Sequence, residues 1–200
     1  LVDRALGDAE ALASRPAIAD LLITKGVDLG NLGRAVEGRA LLEAGIRIAD
    51  EDGLVLTALR GRINLSANPA IEARAGLEVA REALETSRRI GNRSVEASLI
   101  GNFSFTALAL GEWDALLAEV ERLAPDVAAS PVLLGNLAQL RARRGDPVDR
   151  DELVEHVHRL DPSISEALML DTDANLALVE GRLADAGRLA TQLAGDSAQS

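Results

Sequence analysis

Catalysis and metal binding need side chains that titrate, ligate or attack, and this sequence holds few of them in workable spacing. Its two histidines, His156 and His158, stand two residues apart. On a helix that spacing turns them about 200° from one another, so they cannot close on one metal as an i, i+4 pair can. Glu152 stands four residues before His156 and is spaced to pair with it. The simplest reading of both histidines is a solvated helix end, where imidazolium suits the dipole. Asp171-Thr172-Asp173 offers two carboxylates, but they face adjacent sides of a helix with no third acidic ligand nearby, and they read as an exposed helical turn. Gly30, Gly33 and Gly38 resemble a phosphate loop in composition alone; no strand pattern precedes them and no Gly-Lys-Ser/Thr follows. Arg141, Arg143 and Arg144 cluster toward a helix carboxy-terminus, where the dipole and solvation account for them more simply than an anion site. There is no cysteine, which excludes disulfides and thiolate ligands, and there is no Gly-x-Ser-x-Gly elbow. No catalytic, cofactor-binding or metal-binding residue is expected, and the chain does not read as an enzyme.

The elements that would position such groups are helices. Hydrophobic residues make up 48% of the 200 residues and aromatics only 2%. Strands favour aromatic and β-branched residues; Ala and Leu at this level are the composition of close-packed helices. The net charge of −11 and a pI near 4.7 disfavour nucleic acid and anionic membranes alike. Only Lys25 among the 21 basic residues is a lysine, a bias that reads as coding preference. No apolar stretch approaches the ~18 residues of a membrane span. The chain begins Leu-Val-Asp-Arg with no export signal, so the expectation is a cytoplasmic protein in which the sequons at Asn64, Asn92 and Asn102 are chance.

Internal spacing is the strongest signal. Gly101-Asn102 followed by Gly111 recurs as Gly135-Asn136 followed by Gly145, offset by 34 residues. Seven residues before the turns at Gly33, Asn68, Gly111, Gly145 and Gly181 stand Gly26, Gly61, Ser104, Ala138 and Ala174, all small enough for close helix crossing. Five residues past Gly33 and Gly181 stand Gly38 and Ala186, where a second helix would press on the first. Leu116 and Arg150 depart from that small residue, and the second unit is stretched to about 43 residues, which loosens the register of units two and four. Apolar spacing and breakers predict helices over 2–14, 16–32, 35–50, 54–66, 70–91, 94–110, 112–124, 131–144, 149–160, 164–180 and 182–194. On 70–91, Leu77, Ala80, Leu84, Ser87 and Ile90 form the inner stripe, with Glu78, Arg81, Glu85, Arg88 and Arg89 as an ion-pair ladder outside.

With this period and segments such as Leu29-Gly30-Asn31-Leu32-Gly33-Arg34 and Gly111-Glu112-Trp113-Asp114, the chain resembles a tetratricopeptide repeat array. It is most similar to the Ala/Leu/Arg-rich arrays in the carboxy-terminal parts of large bacterial signalling proteins, among them nucleotide cyclases and transcription regulators with a signalling ATPase module. The resemblance implies an all-α, right-handed superhelix of antiparallel helix pairs: one domain over 1–200, about five pairs, with 1–15 as helix B of a preceding unit. Trp113 is then expected in the core between helices A and B, and Met169 as filler. Helix A residues would line a concave face, presenting Arg62, Phe105, Gln139, Arg143, Asp171 and Asn175 as candidate binding residues. The implied function is a non-catalytic protein-interaction scaffold for a protein or peptide partner. The alternative is a small-ligand sensor that relays effector binding to an output domain; a sealed apolar cavity would favour it, an open polar groove the scaffold. Val2, Ala5, Leu6, Ala9, Leu12 and Ala13 on the first helix, and Leu183, Leu189, Ala190 and Leu193 on the last, predict a weak homodimer through terminal helices, strengthened by salt that screens the charge.

Overall fold

The computed structural model describes residues 1–160 and 165–197, and among these every regular element is an α-helix. In chain order they are α1 (Val2–Ala11), α2 (Arg15–Asn31), α3 (Ala35–Glu51), α4 (Val55–Ser66), α5 (Ala73–Ile90), α6 (Arg93–Leu110), α7 (Trp113–Val120), α8 (Pro125–Ala128), α9 (Pro131–Arg144), α10 (Arg150–Leu160), α11 (Ser165–Val179) and α12 (Leu183–Ser197).

One turn recurs between them. Gly33, Gly53, Gly91, Gly111, Gly145 and Gly181 all take φ between 70° and 82°. In each case the glycine N–H and the next N–H reach back to carbonyls of the last helical turn, as Gly33 does to Gly30 at 3.0 Å and Arg34 to Leu29 at 2.8 Å. This is the paired closure that satisfies orphan carbonyls at a helix end, and it needs a left-handed residue. A seventh copy closes α1 with Ala13 at φ 48°, where Ser14 N–H reaches Ala9 O at 2.9 Å.

The chain forms two compact units, Leu1–Thr106 and Ala107–Ser200. In the first, each of α1 to α4 packs on the next helix, and α2 also touches α4. In the second, α9 packs on α10, α10 on α11 and α11 on α12, and α9 also touches α11. Consecutive packing with contact to the next helix but one is how stacked helix pairs bury their apolar stripes. The crossing of α2 and α3 rests on missing side chains: a Cβ on Gly38 would lie 2.5 Å from Gly26 O, and one on Gly26 2.8 Å from Gly38 O. Beside it Ile23, Leu42, Ile46 and Leu65 form a buried cluster, worth roughly 1.5–3 kcal/mol for each large side chain removed from water. Within the first unit α6 is tied to α4 by Asn102 Nδ2, which donates to Ile63 O at 2.9 Å and Ser66 Oγ at 3.1 Å.

Several expectations change on contact with the structure. The predicted start of α5 at residue 70 moves to Ala73, because Asn68 Oδ1 accepts from Ala70 N–H at 2.8 Å and Glu72, extended at ψ 137°, caps the helix by accepting from Ala75 N–H at 3.0 Å. That side-chain turn also removes Asn68 from the left-handed set. The helix predicted over 112–124 stops at Val120, and Ala124 is extended at ψ 149° ahead of Pro125, which starts α8; the ring of a proline drives the preceding residue out of the α region. On α5, Leu77, Ala80, Leu84 and Ser87 are buried but Ile90 is exposed. Arg88 leaves the outer ladder to meet Glu96 of α6 at 2.7 Å, largely out of solvent. Leu116, standing where a small residue was expected, is fully buried.

Candidate functional site

The groups with chemical potential lie apart. His156 and His158 are both exposed on α10. His156 and Glu152 line a 150 Å³ cleft between α9 and α10 together with Arg141 and Asp149. Among the described residues no group of three or more His, Asp or Glu is placed to hold a metal. The tripeptide at 171–173 fans out across α11: Thr172 is fully buried, Asp173 pairs with Arg150 of α10, and Asp171 lines a cleft toward α12. The arginine cluster is divided as well. Arg144 donates to Asp114 at 2.8 Å and lies 5.9 Å from the centre of the Trp113 ring. Trp113 is half-buried, and its indole N–H points at Leu108 O at 3.4 Å, so it helps close the end of α6 rather than filling an interior.

The six residues expected on a concave face have different surroundings. In the first unit Arg62 of α4 is held by Asp50 of α3 in a two-pronged pair at 2.7 and 3.1 Å. The pair lines a 300 Å³ cleft shared with Glu82, Thr86 and Arg89 of α5. Phe105 of α6 is 66% exposed. In the second unit Arg143 is exposed, whereas Gln139, one turn before it on α9, is only 4% exposed. The reading of Gln139 as a surface anchor is therefore corrected: α9 is flanked by both α10 and α11, which leaves it little open face. Asp171 and Asn175 do come together. Asn175 Nδ2 donates to Asp171 O at 2.8 Å and Oδ1 at 3.3 Å. Burial raises the Asp171 carboxyl above its ordinary value, and the Asn175 bond opposes this more weakly.

Asp171 and Asn175 form the polar end of a cleft of about 450 Å³, whose other walls are Ala174, Leu178, Leu183, Ala186, Gly187, Ala190 and Leu193 of α11 and α12. Leu178 and Leu183 are 54% and 67% exposed, and a Cβ on Gly187 would meet nothing within 4 Å. Sequence spacing marks Leu183, Ala190 and Leu193 as apolar but not Leu178 or Gly187. Their signal is the run Leu178, Leu183, Gly187, Ala190 about the Gly181 turn, which reads as one apolar surface only once two helices are set side by side. No family model matches the chain, and a search of curated proteins finds no match.

Proposed function

We propose that the chain is a tetratricopeptide-like array of about five helix pairs, a right-handed superhelix that serves as a non-catalytic protein-interaction scaffold in a larger bacterial signalling protein. The observation that carries the reading is the recurrence of one left-handed turn with helices packed on the next and the next but one (α2 on α4, α9 on α11), since such stacking builds extended binding surfaces without building a reaction site. The clefts on these surfaces are lined by exposed side chains such as Glu82 and Arg89 in one, and Leu178 and Leu183 in another. That supports a protein or peptide partner over the small-ligand sensor, which calls for a sealed apolar cavity. A charge of −11 argues against nucleic acid and anionic membrane as partners, and no helix among the described residues is long and apolar enough to cross a membrane. The terminal helices carry at most a weak self-association. α1 is partly covered by α2, and the exposed large apolar side chains beside it, Leu1 and Leu12, flank the helix rather than lie on it, while like charges oppose any dimer at low salt.

The test is a photo-crosslinking amino acid placed at Phe105, and separately at Arg143, in the full parent protein in its own cells. Discrete adducts to one protein are expected from at least one position. A purified chain that carries a stoichiometric small molecule in native mass spectrometry, with no protein adduct from either position, would replace the scaffold with the sensor.

A further inference from the structure

Two asparagines at the end of α4 are each half used. Asn68, just past the helix, is only 7% exposed. Its Oδ1 accepts from Ala70 N–H at 2.8 Å, and its Nδ2 donates to nothing among the described residues. Asn64, one turn earlier, is used in the opposite sense. Its Nδ2 donates to Arg60 O at 2.7 Å, and its Oδ1 accepts from nothing among the described residues. A backbone partner fixes each orientation, because only the amide nitrogen can donate to a carbonyl and only the amide oxygen can accept from an N–H. Both residues line one cleft of about 260 Å³ between α2 and α4, with Val27, Gly30, Leu42 and Pro69 around them. Gly30 keeps the donor open: a Cβ there would already stand 3.9 Å from Asn68 Nδ2. α1 packs on α2 beyond one wall, and Asn102 of α6 bonds to α4 beyond the other. The cleft therefore lies within the stack of the first unit rather than at an end of it.

We propose that this cleft takes one primary carboxamide side chain, a glutamine or asparagine of a protein partner. Its C=O accepts from Asn68 Nδ2, and its amide nitrogen donates to Asn64 Oδ1. The proposal deepens the scaffold reading and rests on it. Every residue lining the cleft is uncharged, so an ionised guest would lose its water without gaining a counter-charge. A neutral group with one acceptor and one donor is matched at both ends, and Val27, Leu42 and Pro69 suit its methylene stem. The volume falls below the roughly 300–1,000 Å³ of pockets that enclose a whole ligand, which favours a single side chain. An extended main chain crossing several units would need such amides repeated along the array. At the positions equivalent to Asn68 the other turns carry Gly33, Gly111, Gly145 and Gly181, and at those equivalent to Asn64 stand Leu29, Ala107, Arg141 and Ala177. The amide pair occurs once.

The test titrates the intact, isotope-labelled chain with N-acetylglutamine methylamide and, separately, with the methionine and glutamate analogues that share its main chain. Heteronuclear NMR reads the side-chain amide signals of Asn68 and Asn64. The Asn68 signal is identified by its loss in Asn68→Asp, which keeps the oxygen that accepts from Ala70 N–H. The glutamine probe is expected to shift both signals and to bind about tenfold more tightly than the methionine probe, which lacks both hydrogen bonds. Followed at Asn64, Asn68→Asp should weaken glutamine binding about tenfold. Gly30→Leu, at a helical position with room for its Cβ, should fill the cleft and abolish binding with the circular dichroism unchanged. Equal shifts from all three probes would mean that the cleft reads main chain, and no shift from any would leave Nδ2 a solvated donor. Tighter binding of the glutamate probe, or binding indifferent to Gly30→Leu, would equally overturn the proposal; all four results leave the scaffold reading intact. Free glutamine binding far more tightly than the capped probe would make the cleft a small-ligand receptor and overturn the proposal and the scaffold reading together.

Discussion

At Asp171 the folded chain works against ionisation: burial raises the carboxyl above 3.8, and the Asn175 bond only partly offsets it. Folding therefore favours the protonated form. The contribution is greatest below 3.8 and is lost as pH rises through the folded value. Asp171→Asn, neutral at every pH, should melt on the order of 2 °C above the parent at pH 7, a modest gain because solvent screens a half-buried group. The gap should close as pH falls below 3.8; a constant gap from pH 7 to pH 3 would assign the effect to packing instead. Thr172, next along α11, is fully buried, and its Oγ1 has no hydrogen-bond partner among the described residues. Thr172→Val keeps the shape and removes an unsatisfied group, so chemical denaturation should report about 1 kcal/mol of added stability. Neither environment was legible from the chain. Asp171-Thr172-Asp173 reads as one exposed turn, and only the neighbours on α9, α10 and α12 separate it into a seated, a buried and a paired side chain.

Helix ends were the most legible feature and also where the reading slipped. Glycines at Gly33, Gly111, Gly145 and Gly181 announce their turns because a left-handed residue is cheapest without a Cβ. Ala13 adopts the same conformation and announces nothing, and the Asn68 turn is closed by its own side chain. Ala13→Gly should thus stabilise the chain by about 1 kcal/mol, read as a higher denaturation midpoint; a loss would mean that helix propensity at the end of α1 outweighs the strain. The small residues chosen by spacing behave differently. Gly26 and Gly38 meet backbone to backbone across α2 and α3, so Gly38→Ala should cost roughly 1–3 kcal/mol despite alanine's better helix propensity. Ala174 lines an open cleft instead, and spacing alone could not distinguish a crossing from a groove wall.

Across the whole chain, periodicity in Leu, Ala and Gly was enough to read an all-helical fold and most helix spans, because each helix buries one stripe against near neighbours. The candidate surface was less legible. Exposure depends on which helix lies over which, so Phe105 stayed open, Gln139 was covered, and the α11–α12 groove emerged from residues on either side of a turn. The central claim is that helices are stabilised by nearby partners in a repeat, not by one shared core. Trp113, the sole tryptophan, reports on the second unit, and far-ultraviolet circular dichroism reports on every helix. Leu42 is 1% exposed at the α2–α3 crossing, and its loss should cost about 2–5 kcal/mol locally. In a guanidinium titration of Leu42→Ala, the repeat account predicts that part of the dichroism is lost early while the Trp113 fluorescence midpoint stays within error of the parent. Fluorescence and dichroism moving together to one lower midpoint would contradict it.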